Sequence, residues 1–153
     1  MLIRQQRIAE AIPYLVDALD AQPNNVDTLC SLAYSYSEVN ALPLAEESAK
    51  KAIALDPKEP RAHLVLGIVR SKQNRLGEAE AEIRRGLEVQ RVSTGVLMFH
   101  YYLGNVLYEK GDVQGAIREY RLEARNDSAI DPAAVNALAR IAQIEKHNRM
   151  EAQ

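Results

Sequence analysis

The chain has 153 residues, 47% of them hydrophobic and 26% charged, with a net charge of −2. That length carries a domain with a continuous core, and the near-neutral balance leaves no basic footprint for nucleic acid or an anionic membrane. A single cysteine, Cys30, excludes an internal disulfide and a thiolate metal cluster, and no apolar run is long enough to span a bilayer.

The first periodic segment spans residues 3–21, where Ile8, Ala11, Ile12, Leu15, Ala18 and Leu19 fall on one helical face. Pro13 lies inside it and removes a helical hydrogen bond at a cost of about 3 kcal/mol, so the expectation is a kink, or a helix that starts near Ala11. Pro23-Asn24-Asn25 ends the segment, and Asn25 suits the N-cap of a helix over 26–39 with Asp27 at its positive end. Asn40 breaks that helix, and Pro43 opens another to Leu55. There Glu46/Lys50 and Glu47/Lys51 form i, i+4 pairs expected on a solvated outer face. After Asp56-Pro57, Pro60 opens a helix to Lys72, Asn74-Arg75 turns the chain, and a helix over 76–90 pairs Glu80 with Arg84 on its wet side. Ser93 or Thr94 is the expected cap of the next helix, in which His100, Leu103, Gly104 and Leu107 share a face. Gly111-Asp112 supplies a helix end and an N-cap, and Val113, Ala116, Ile117, Tyr120 and Ala124 make the face that follows. Residues 126–130 read as a long turn. Asp131-Pro132 starts a last helix that runs through Val135, Leu138, Ala139 and Ala142 to about Lys146, with Ile141 and Ile144 off that stripe. Residues 148–152 read as the opening of a further helix.

Ala11, Ala45 and Ala79 recur at 34 residues, and Ala116 follows 37 further on. Leu32-Ala33, Leu66-Gly67 and Leu103-Gly104 align, as do Ala18, Ala52, Gly86 and Ala124. A fixed period of this length means a stacked helical array. On these residues the chain resembles the tetratricopeptide repeat family. The family pattern of Leu-Gly, an aromatic, Ala, an aromatic, Ala and Pro stands here as Leu103-Gly104, Ala116, Tyr120 and Ala124 in one copy. In another it stands as Leu32-Ala33, Tyr36, Ala45, Ala52 and Pro57; a third keeps Leu66-Gly67 and Ala79 but has Arg70 where an aromatic is usual. The resemblance implies an all-α fold, a right-handed α-solenoid of stacked antiparallel helix hairpins with about eight helices. As a single domain over 1–153 it would hold a half-repeat over 3–25 and repeats over 26–59, 60–93 and 97–130. A C-terminal helix and a truncated half-repeat would occupy 131–153.

The resemblance also implies that the first helix of each pair lines a concave groove. The i, i+4, i+7 stripe beside the core stripe is Cys30, Tyr34, Ser37; Leu64, Ile68, Ser71; Tyr101, Asn105, Tyr108; and Asn136, Arg140, Gln143, with Val65 and Tyr102 at its edge. Its apolar and aromatic middle suits a protein or peptide partner, offered as an amphipathic helix or an extended segment. The competing placement puts some of these residues, Ile68 foremost, in the core. The family's carboxylate-gripping groove pairs Lys, Arg and Asn. Asn105 matches one such place, but Cys30, Leu64, Val65 and Tyr102 stand where its cations are needed.

Nothing in the sequence points to catalysis, a cofactor or a metal: there is no Gly-rich phosphate loop, nucleophile elbow or His-Glu metal motif. His63 and His100 hold equivalent positions in successive repeats, about 10 Å apart in stacked layers, and read as residues of the hairpin crossing. His147 ends a helix, where a cation suits the dipole, and Cys30 reads as a buried, inert thiol. The expectation is a protein-interaction module that is not an enzyme, binds no nucleic acid and inserts in no membrane. With Met1 as the true start and no signal-peptide core in MLIRQQR, the cytoplasm is the default compartment. Both terminal segments carry apolar residues off their main stripes, Leu2, Ile3 and Val16 in the first. Two further expectations follow: a homo-oligomer built end to end through the terminal helices, or an interaction segment of a longer protein, such as a transferase with a separate catalytic domain.

Overall fold

The computed structural model describes residues 2–90, 98–125 and 132–151. Among them are eight helices and no strand: α1 (Leu2–Ala21), α2 (Val26–Glu38), α3 (Leu42–Leu55), α4 (Pro60–Lys72), α5 (Leu76–Val89), α6 (Phe99–Glu109), α7 (Val113–Arg125) and α8 (Pro132–Glu151). The chain forms two compact units, Met1–Thr94 and Gly95–Gln153.

In the first unit α2 pairs with α3 and α4 with α5, while α1 packs on α2 and α3 on α4. The hairpins close on small residues. Ala33, Ala45, Ala49 and Ala52 are wholly buried, and a Cβ on Gly67 would stand 2.5 Å from Ile83 Cγ1. Seven residues beyond Ala33, Gly67 and Gly104 stand Asn40, Asn74 and Gly111, with φ of 62°, 60° and 88°. These are the left-handed turn positions, filled by the residue types that tolerate them. Asn25 caps α2, its side chain accepting from Thr28 N at 2.9 Å, and Glu59 caps α4, accepting from Arg61 N at 3.0 Å. α1 runs unbroken from Leu2 through Pro13, not from near Ala11. Ile8 and Ile12 on one side of the proline, and Leu15 and Leu19 on the other, are half-buried, and this packing outweighs the lost hydrogen bond.

The Glu46/Lys50 pair is present at 2.8 Å, but Glu46 does not sit on an open face. Its carboxylate also accepts from Gln73 Nε2 at 3.0 Å and Arg75 Nη1 at 3.2 Å, which ties α3 to the turn after α4. The hydrogen bond from Lys50, followed by that from Gln73, holds its pKa at about 2 instead of the ordinary 4.5. A carboxyl depressed in the fold stabilises above its unfolded pKa and loses that contribution as pH falls toward its folded one. Lys50 is more than half exposed, so screening keeps the contribution at about 1–2 kcal/mol. Urea unfolding at pH 6 and pH 3 should therefore show a smaller loss of stability for Glu46→Gln than for the wild type, by that amount.

In the second unit α6 pairs with α7, and α8 packs on both. Ser93 and Thr94 lie outside the described residues; α6 starts at Phe99, with Met98 in the cap position and no side-chain cap. Glu123 does this work from α7: buried at 5% exposure, its Oε2 accepts from Tyr101 N in the first turn of α6 at 3.1 Å. Glu123, not Ala124, therefore stands in the register of Ala18, Ala52 and Gly86. Asp112 caps α7 as expected, accepting from Gly115 N at 2.8 Å. The 126–130 turn and Asp131 lie outside the described residues.

α8 differs from expectation twice. Its buried face is Ala137, Ile141 and Ile144, while Val135 (57%) and Leu138 (56%) of the predicted stripe are exposed. It also continues to Glu151 through Asn148-Arg149. The position equivalent to Asn40, Asn74 and Gly111 is Lys146, a residue that disfavours left-handed backbone, so the helix does not turn there.

Candidate functional site

In the first unit the predicted groove residues lie largely in the core. Ser37 is wholly buried, Cys30 is 3% exposed, and Leu64, Val65 and Ile68 are 6–7% exposed. The cause is α4, which packs on α2, α3 and α5 at once and is buried at every position from Ala62 to Val69. A helix covered all round has no stripe to spare for a partner. Lys72 Nζ closes the rim by donating to Ser37 O at 2.6 Å. Tyr34 is half-buried against the cluster of Ala33, Ala45, Ala49 and Val65, and Ser71 is half-buried.

Cys30 carries no chemistry in this setting. Burial foremost, then the nearby Glu59 carboxylate, pushes its thiol from the ordinary 9.0 to about 12. The thiolate fraction at pH 8 falls about a thousandfold, so a disulfide reagent should label native protein about a thousandfold more slowly than urea-unfolded protein.

His63 and His100 sit in the hairpins as expected, each against a carboxylate 19 residues on: His63 Nδ1 to Glu82 Oε2 at 2.9 Å, His100 Nδ1 to Glu119 Oε2 at 2.8 Å. His63 Nε2 donates to Pro57 O at 2.9 Å. Both histidines are tied into the fold.

The second unit keeps more of the predicted surface. Tyr101 and Tyr102 stack edge to face at 5.4 Å, both half-buried, and Tyr101 lies 6.1 Å from the Tyr120 ring. Tyr120 is buried, and its hydroxyl donates to Asn105 Oδ1 at 2.7 Å. Beside this cluster is a cleft of about 270 Å³, lined by Tyr108 of α6, Tyr120 of α7, and Arg140, Gln143, Ile144 and His147 of α8. Burial raises Tyr120 to about 12, with the Arg140 charge opposing it. The phenol stays protonated, a donor held in place by Asn105. Of the predicted residues, Tyr108, Arg140 and Gln143 meet in the cleft; Tyr101 and Asn105 touch its Tyr120, Tyr102 touches Tyr101, and Asn136 is exposed outside its lining. Tyr120, Ile144 and His147 escaped the sequence reading. The signal was there in α8, since Arg140, Gln143, Ile144 and His147 are spaced i, i+3, i+4, i+7.

A tetratricopeptide repeat family model matches residues 2–60, 30–95 and 64–134, overlapping stretches that cover most of the sequence. The chain belongs to the tetratricopeptide repeat family. Solved structures carry the same fold. MamA is 23% identical, with a TM-score of 0.66 over 95% of this chain and 92% of that one. A thermophilic tetratricopeptide protein of Thermus thermophilus is 14% identical, with a TM-score of 0.78 over 92% of this chain and 76% of that one. The O-GlcNAc transferase of Thermobaculum terrenum is 22% identical, with a TM-score of 0.70 over 80% of this chain but 24% of that one. No curated protein matches the sequence. Tetratricopeptide repeats are protein-binding helical scaffolds, and that is the class of this chain. Among the described residues no helix is long and apolar enough to cross a membrane, and no group of three or more His, Cys, Asp or Glu could hold a metal ion.

Proposed function

We propose that this tetratricopeptide chain is a protein-interaction module that takes an extended segment of a partner protein along α6 and α8. The observation that carries the reading is the cleft lined by Tyr108, Tyr120 and Arg140, with Tyr101 against the Tyr120 ring. Rigid aromatic faces supply contact area at small entropic cost. Arg140 is exposed, and its guanidinium offers a fork of donors suited to a carboxylate. The partner segment is thus one with an apolar anchor beside an acidic side chain. The family membership supports a protein partner in general; the residues named here come from the cleft.

A second reading, an interaction segment of a longer enzyme, is supported by the match to 24% of the transferase chain. The two readings share the same binding surface.

Selection from a displayed peptide library tests the first. Selected peptides should be enriched in acidic residues and should lose at least about tenfold in affinity to Arg140→Ala and to Tyr108→Ala. Tyr14→Ala, on the exposed face of α1, should leave them unchanged. Peptides indifferent to both cleft substitutions would sink the reading.

A further inference from the structure

We infer that the residue the cleft selects is a phosphotyrosine of the partner segment, its ring against Tyr108 and Tyr120 and its phosphate on the donors of Arg140 and Gln143. The inference rests on the cleft reading. It narrows an apolar anchor beside an acidic side chain to one side chain that is both.

The first observation is the sign of the lining. Among the described residues the cleft presents Arg140, Gln143, His147 and the Tyr108 hydroxyl, and no carboxylate. Elsewhere the chain meets its cations with its own carboxylates. His63 and His100 each face a glutamate, and Arg61, Arg70, Arg75 and Arg84 are all paired within the fold. The Arg140 guanidinium carries five N–H donors, the Gln143 amide two and the Tyr108 phenol one. The Tyr120 hydroxyl is spent on Asn105 Oδ1 at 2.7 Å, which leaves its ring as wall. Arg140 also acts inward. Its charge weighs more on the buried Tyr120 phenol than that of Glu109 does, so its field falls on the cleft and not on bulk water alone.

The second observation is that apolar walls share the same space. The Tyr108 and Tyr120 rings and Ile144 stand beside these donors, on three helices that pack on one another. At about 270 Å³ the cleft falls below the roughly 300–1,000 Å³ of sites for drug-sized ligands, so it has room for one large side chain. That side chain must carry an apolar body and an anionic head. Glutamate and phosphoserine have the head without a body that covers the rings. Tyrosine has the body without the charge. Phosphotyrosine has both, with a charge of about −1.5 to −2 and three strong acceptor oxygens. A carboxylate has two oxygens, which fill one guanidinium fork and leave the amide and phenol donors unmet. Phosphorylation of the partner therefore switches the contact on.

Calorimetric titration of the 153-residue chain with four capped pentapeptides, Ala-Ala-X-Ala-Ala, tests this, X being phosphotyrosine, tyrosine, phosphoserine or glutamate. The phosphotyrosine peptide should bind at least about tenfold tighter than each of the others. Arg140→Ala should abolish its advantage over tyrosine, and Arg140→Lys, a point charge without the fork, should restore only part of it. Tyr108→Ala should abolish its advantage over phosphoserine. Both residues are exposed, so circular dichroism should show unchanged helix content. A phosphotyrosine peptide that binds no tighter than the glutamate or phosphoserine peptide, or not at all up to about 1 mM, overturns the inference. So does a preference that survives both substitutions, which places the site elsewhere. The cleft reading fails separately, when the library-selected peptides ignore Arg140→Ala and Tyr108→Ala.

Discussion

Glu82→Ala should destabilise the first unit by about 3 kcal/mol in urea unfolding at neutral pH, among the largest effects of any single side-chain truncation outside its apolar core. Glu82 lies between His63 and Arg70. Its Oε2 stands 2.9 Å from His63 Nδ1, and its Oε1 accepts from Arg70 Nη1 at 3.1 Å. His63 is 1% exposed, and the Arg70 and Glu82 side chains are each 14% exposed. Arg70 Nε is already buried without a partner. Removing the carboxylate leaves His63 Nδ1 without that acceptor and the Arg70 guanidinium with the longer contact to Glu78 Oε2, at 3.7 Å. The cost is that of a largely buried charge stripped of its shorter ion pair, not of the hydrogen bonds alone. Glu82→Gln should cost less, since its amide oxygen still satisfies one donor. Glu119→Ala in the equivalent pair should cost only about 1 kcal/mol, because its partner His100 is 23% exposed and water can replace the carboxylate. The sharpest check is apolar replacement: Glu82→Leu with His63→Leu and Arg70→Tyr should recover most of the loss. Arg70 stands where Tyr36 serves the preceding hairpin, so the site accommodates an aromatic.

That network was invisible in the sequence for a physical reason. Arg70 read as a departure from the aromatic pattern, and its meaning lies in Glu82, twelve residues away, which no local spacing flags. The hairpins themselves were legible. Ala45, Ala79 and Ala116 mark where helices touch, and close backbone approach tolerates few substitutes, so a period survives in the residues. Turn positions were legible for the same reason: Asn40, Asn74 and Gly111 hold a conformation that most side chains resist. Faces were harder. In α4, core and groove stripes are both buried, so periodicity had no polar side to point away from. In α8, Leu138 looked like core because its counterparts Leu32, Leu66 and Leu103 are core, yet it is 56% exposed among the described residues, and Ile141 and Ile144 are buried instead. The cleft was half legible, since Tyr108, Arg140 and Gln143 lay on the predicted stripe. Tyr120 belongs to α7, and no reading along first helices reaches it.

Gly104→Ala should destabilise the second unit by about 2 kcal/mol, although alanine is the better helix former by about 1 kcal/mol. The added Cβ would stand 2.5 Å from Tyr120 Cε1 and 2.7 Å from Cδ1. A ring can relieve such contacts only by tilting, and this one is 1% exposed with its hydroxyl fixed on Asn105 at 2.7 Å. Either the hydrogen bond breaks or α6 and α7 move apart, and both outcomes exceed the gain in propensity. Gly77→Ala isolates that gain: nothing lies within 4 Å of its Cβ position in the first turn of α5, and stability should rise by about 0.5 kcal/mol. The clash assignment is tested by a double-mutant cycle with Tyr120→Leu. Tyr120→Leu alone should cost several kcal/mol for the lost ring volume. In its background Gly104→Ala should become neutral or stabilising, because the atoms it would strike are gone. If Gly104→Ala costs the same with or without the ring, the glycine is not there to admit Tyr120. Because Tyr120 also lines the cleft, Gly104→Ala in the otherwise native chain should weaken the selected peptides without touching them directly. Arg140→Ala should weaken them with no comparable loss of stability, since Arg140 is exposed. Measuring stability and affinity together on these two variants separates the packing that builds the cleft from the charge that uses it.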